Sequence, residues 1–324
     1  MPTIANIEVE GHVEWAGFIA DKPVFALADG TVVVAEGGEK RFSLHEGMTA
    51  AVSALDRKSL ITGGEDGAIA QIRDDGTVEN LREATGKWVD CLAAGPAGAV
   101  AAGSGKAVTV FLPDGKKREI AAERTVEGLA FAPKGMRLAL ARYKGVELVW
   151  INTQSPPQFL EWKGAHISVG FSPDGRYVVT SMQENALHGW RLADSRHMRM
   201  TGYPAKVRSM SWSAKGNWLA SSGAPAAIVW PFSGKDGPMG KAPKELGAIG
   251  QIMVSEVAFH PGEEVLAIGY HNGMILAVLL GDGREAVLRQ GGTGAITSLG
   301  WDRSGRRIAF GSEEGEAGII DIAG

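Results

Sequence analysis

Short apolar runs alternate with polar, glycine-bearing turns along the whole chain, and the alternation itself repeats. Its clearest unit is a six-residue strand reading apolar, polar, small or polar, apolar, small, aromatic. It occurs at residues 126–131 (VEGLAF), 207–212 (VRSMSW), 254–259 (VSEVAF) and 296–301 (ITSLGW), and with one departure at 166–171 (HISVGF). Weaker copies begin at Val13, Val52 and Val89, so starts fall at 13, 52, 89, 126, 166, 207, 254 and 296. Alternation with a period of two predicts half-buried strands. A repeat of about 40 residues predicts a series of like supersecondary units, in the range of propeller blades.

Each unit continues as two more apolar strands around a tight turn, as in residues 60–70 (LITGGEDGAIA) and 266–276 (LAIGYHNGMIL). Asp66-Gly67 and Asn272-Gly273 suit such turns because glycine adopts positive φ without steric cost. Trp150, Trp190 and Trp230 close third strands at a constant spacing. A more polar fourth strand follows, for example at 79–82, 197–200 and 286–289. The last unit runs out near Ile322 before a fourth strand can form, and residues 3–9 are predicted to supply it. The expectation is an all-β fold, an eight-bladed β-propeller of four-stranded antiparallel blades, with seven blades as the alternative. Residues 1–324 form one domain on this reading, and an N-terminal strand closes the ring.

The turns at 131–135 (FAPKG), 171–175 (FSPDG) and 212–216 (WSAKG), the three spaced tryptophans, and Gly11-His12 and Ala165-His166 ahead of first strands resemble the WD-repeat family of β-propellers. The resemblance covers all eight units. It implies a stabilising tetrad in the fifth unit, made by His166, Ser181 or Thr180, Asn185 in place of an aspartate, and Trp190. Asp66 with Thr62 keeps part of it in the second unit. No tryptophan is followed by Asp or Asn, so the repeats are degenerate. What the resemblance implies for function is a non-catalytic scaffold that binds proteins.

Composition narrows the classes. With 33 Lys and Arg against 37 Asp and Glu, the formal net charge is −4, and no clustered basic excess marks a nucleic-acid footprint. Cys91 is the one cysteine, which excludes an internal disulfide and fits a reducing compartment. The N-terminal residues lack the basic and apolar regions of a secretory signal, and no apolar stretch reaches the roughly 18 residues of a membrane helix. The cytoplasm is the expected location, with no membrane partner. Residues 103–106 (GSGK) resemble a phosphate loop, but Val100 and Ala107 break the pattern, so a β-turn is the reading. The histidines show no metal-ligand spacing, and neither a metal nor a cofactor is expected.

Two sets of residues are candidates for contact. The polar second positions of first strands include Glu14, Asp90, Glu127 and Arg208, which would meet at a channel rim. The upper face should carry Trp88, Arg142, Tyr143, Lys144, Glu184, Tyr270 and His271, a mixture of charge and aromatics of the kind found at protein interfaces. The leading reading is a WD-repeat scaffold whose upper face binds one or more unidentified proteins. The alternative is an enzyme or metal-binding protein using Glu14, Asp90 and Glu127. Binding of RNA or another polyanion ranks third, and a small-molecule ligand is not expected.

Overall fold

The computed structural model describes residues 2–36 and 38–322. Among them run thirty β-strands in seven antiparallel sheets, and the one helical segment is a 3-10 turn at Pro96–Gly98. The fold is a β-propeller of four-stranded antiparallel blades. Residues 1–42 with 203–324 form one compact unit, and residues 43–202 form a second.

Seven sheets, the alternative number, form because the repeats beginning at 126 and 166 are joined. Arg137–Trp150 and Gln158–Phe171 are each continuous over 14 residues and link the two repeats into one six-stranded sheet. The first run reverses at Lys144 and Gly145, with φ of 75° and 143°. Ile151 N then donates to Met136 O at 2.7 Å, so its two halves lie against each other as second and third strands. Only glycine fits at 145, since a Cβ there would collide with the Leu160 carbonyl oxygen. The other six sheets have four strands each.

In the first unit the expected closure is present. Thr3–Glu8 pairs antiparallel with Glu316–Asp321, from Thr3 against Asp321 to Glu8 against Glu316. The N-terminal segment therefore completes the blade built from Ile296–Trp301, Arg307–Ser312 and Glu316–Asp321. Deleting residues 1–10 should strip this pairing and lower the melting temperature by several degrees. An unchanged midpoint in a thermal scan would show that the blade stands without it.

Apolar cores lie where neighbouring blades of a unit meet. Val229 of one sheet packs with Val257, Phe259, Leu266 and Ile268 of the next. The register aromatics Phe171, Phe259 and Trp301 are buried at such contacts, as their recurrence predicts, and Trp301 Nε1 donates to Ala258 O at 3.0 Å.

An innermost strand has one edge with no sheet partner, and its buried N–H and C=O groups need other partners. Serine and threonine hydroxyls on the adjacent blade supply them. Val257 N donates to Ser209 Oγ at 3.1 Å, Phe259 N to Ser211 Oγ at 2.9 Å, and Ala16 N to Ser298 Oγ at 2.8 Å. In the second unit Thr49 Oγ1 donates to Val89 O at 2.6 Å. This gives the small polar positions of the repeat a structural purpose. First strands also open on a bulge, with register shifts between Val13 and Trp15, Val126 and Gly128, Val254 and Glu256, and Ile296 and Ser298.

Candidate functional site

Of the implied tetrad, His166 meets Thr180. His166 Nδ1 lies 2.7 Å from Thr180 Oγ1, and its Nε2 lies 3.2 Å from Trp162 O. Ser181 does not take part. Strand alternation turns it to the other face, where its hydroxyl meets Ser168 Oγ at 2.6 Å. Asn185 holds the turn with φ of 51°, and Trp190 packs with its ring centroid 5.5 Å from that of His166. A second network joins His45 to Thr62 at 2.9 Å and to Asp66 at 3.3 Å. Burial still pulls the His45 pKa below its usual value, against the opposing effect of Asp66. A third uses Tyr203 in place of histidine: Trp230 Nε1 donates to Tyr203 Oη at 2.6 Å, which meets Ser221 Oγ at 2.7 Å. His45 and Tyr203 escaped sequence reading because neither stands directly ahead of its first strand.

The expected upper-face residues divide by exposure. In the second unit Trp88 and Tyr143 are 56% and 50% exposed. A chain of contacts puts them on one edge. Ser104 Oγ donates to Trp88 O at 2.7 Å, Val126 N donates to Gly105 O at 2.9 Å, and Val126 is the strand partner of Arg142, the neighbour of Tyr143. Lys144 is exposed at the same turn, and Glu184 is exposed while accepting the Ala165 N–H at 3.2 Å.

Two other candidates are withdrawn from the surface. Arg142 is buried beneath Glu123 and Glu147, 3.5 and 3.3 Å away, with its guanidinium 4.2 Å above the Phe159 ring centroid. Tyr270 is also buried, and its hydroxyl donates to Gly247 O. A turn that carries one exposed side chain commonly anchors itself with a neighbour, and Arg142 and Tyr270 are those anchors.

The rim positions are likewise split. Glu14 and Arg208 line a cavity of about 650 Å³ in the first unit, with Ser255 and Thr297 from the same strand position. His12, Lys206, Glu256, His271 and Glu313 join them there; His271 was expected on the upper face, and His12, Lys206 and Glu256 were not expected at a contact site. Asp90 and Glu127 belong to the second unit, where the Asp90 carboxylate accepts the Gly105 N–H at 2.6 Å and Glu127 is exposed. Among the described residues no three His, Cys, Asp or Glu side chains are grouped to hold a metal ion.

Comparison with known proteins adds a family match over part of the chain. Residues 195–230 match the family described as WD domain, G-beta repeat. This segment is similar to a WD40 repeat. The matched segment runs from the strand Arg196–Met200 into Ala227–Pro231, and the Tyr203, Ser221 and Trp230 network lies inside it. Solved structures with the same fold include the RRP9 WD40 repeats, at 16% identity, 85% of this chain, 94% of that one and a TM-score of 0.63. U3-55K is similar at 16% identity, 85% and 95% coverage, and a TM-score of 0.64. The computationally designed Ika8 protein is similar at 18% identity, 97% and 98% coverage, and a TM-score of 0.79. No curated protein sequence matches the chain.

Proposed function

We propose that this chain is a non-catalytic scaffold that binds a protein partner through the edge bearing Trp88, Tyr143, Lys144 and Glu184. One observation carries the reading: two large aromatic side chains, each at least half exposed, stand on the same edge of the second unit. Exposed aromatics flanked by charge have the composition of interface anchors with a polar rim. WD40 propellers generally act as protein-binding scaffolds, which supports the same reading. The complex forms in the cytoplasm, where Cys91 stays a thiol; burial pushes its pKa up to about 12 and makes it a poor nucleophile.

The test is affinity purification from the cytosolic and membrane fractions of the native source, wild type against a Trp88→Ala/Tyr143→Ala double variant. A stoichiometric partner should appear in the cytosolic eluate and vanish from the variant, whose melting temperature stays the same because both side chains face solvent. A variant that keeps the partner would sink the assignment of this edge.

A further inference from the structure

The cavity of the first unit is lined in an order of charge that follows its blades. Lys206 and Arg208 form one side, and neither has an ion-pair partner among the described residues. Glu14 and Glu313 form the opposite side. Glu14 is 3.5 Å from His12, and one Glu313 oxygen accepts the Ala295 N–H at 2.9 Å.

Between them lies a strip without formal charge. The Ser255 hydroxyl oxygen is buried there with no hydrogen-bond partner. Beside it Glu256 accepts a hydrogen bond from Ser209 Oγ at 2.8 Å. Burial outweighs that bond and pushes the Glu256 pKa up to about 8. At neutral pH Glu256 is therefore mostly a protonated carboxyl with an O–H to donate.

Its partner must suit both ends. A simple anion meets Glu14 and Glu313, and a simple cation meets Lys206 and Arg208, each of like sign. A molecule with separated opposite charges meets neither penalty. The volume of about 650 Å³ falls in the ordinary range for small-ligand sites.

We propose that this cavity binds a small zwitterion of the amino-acid class, with its carboxylate held by Arg208 and the Ser255 and Glu256 strip and its ammonium by Glu14 and Glu313. Arg208 supplies the planar donor pair that matches a carboxylate. Ser255 gains the partner that the protein does not give it. The site shares no residue with the protein-binding edge, because all of its residues lie in the first unit.

Three probes of equal chain length separate the possibilities by titration calorimetry: 4-aminobutyrate, succinate and 1,4-diaminobutane. The expected result is that 4-aminobutyrate binds about tenfold or more tightly than the other two. Arg208→Ala and Glu14→Gln should each weaken it by about tenfold. Both side chains reach solvent, so both variants should fold. Affinity should also fall as pH rises past about 8, where Glu256 ionises beside the bound carboxylate. His12, Glu14, Lys206, Arg208, His271 and Glu313 face the same space, so a Glu256→Gln variant isolates this step. It should keep binding at neutral pH and lose the alkaline decline. Equal binding of succinate would reduce the site to an anion site, and equal binding of 1,4-diaminobutane to a cation site. Either result, or no binding by 4-aminobutyrate, overturns the proposal, as does an Arg208→Ala variant that binds normally.

Discussion

Truncating Trp190 to alanine should lower the free energy of unfolding by about 3–5 kcal/mol. The side chain is 1% exposed and packs with Val146, Leu148, Leu160, Phe171 and Val178, residues drawn from both repeats of the six-stranded sheet. Removing it opens a space that these neighbours, fixed on paired strands, fill only in part. It also removes the ring whose edge contact with His188, at 4.7 Å between centroids, helps bury that imidazole. Trp150 stands at the same repeat position but is 38% exposed beneath Arg137, so the same truncation there should cost far less. Urea denaturation of the two variants decides it. Equal losses at 190 and 150 would mean that repeat position rather than burial sets the cost.

Acid should destabilise the second unit through His188. The residue is buried, neither ring nitrogen has a hydrogen-bond partner, and its ring stacks on Trp162 at 4.1 Å and 15°. Desolvation, helped by His166, His197 and Arg199, lowers its pKa from 6.5 to about 3. The folded state therefore keeps His188 neutral at a pH where the unfolded chain protonates it. Its contribution is whole above about pH 6.5 and is lost progressively toward pH 3, by about 1.4 kcal/mol per pH unit.

Burial lowers the pKa of His45 and His166 as well, so both add loss in the same direction. Glu256 has the opposite sign. Its raised pKa contributes stability below about 4.5 that is lost as pH rises through about 8. Unfolding curves between about pH 7 and pH 5 should thus decline steeply for wild type and less so for His188→Leu. A variant with the wild-type slope would clear His188 of the effect.

The repeat was legible because blade cores impose it. Val126, Val254 and Ile296 must be apolar to reach neighbouring blades, and Phe259 and Trp301 must be large to fill the gap between them. Closure by residues 3–8 followed from counting strands. The candidate sites were less legible, for reasons specific to this backbone. Strict alternation sends residue 255 toward the channel and residue 256 away from it. The bulge at Val254 breaks that alternation, and both line the cavity. At Thr180 and Ser181 either hydroxyl satisfied the motif, and only the contact of Thr180 with His166 decided between them. Arg142 and Tyr270 look like surface residues in sequence, since nothing local reveals that Glu123 and Glu147 cover one and that Gly247 binds the other. The two fused repeats could not be foreseen either, because the run from Arg137 to Trp150 bends at Lys144 without leaving extended pairing.

The strand at Thr3–Glu8 is translated more than three hundred residues before its partner at Glu316–Asp321. For that interval it must remain unpaired without recruiting another chain. Its own composition suits the wait. Five of its six residues stay exposed even after pairing, so it offers little apolar surface to a stranger. That blade is consequently completed only once both segments, more than three hundred residues apart, are available to pair.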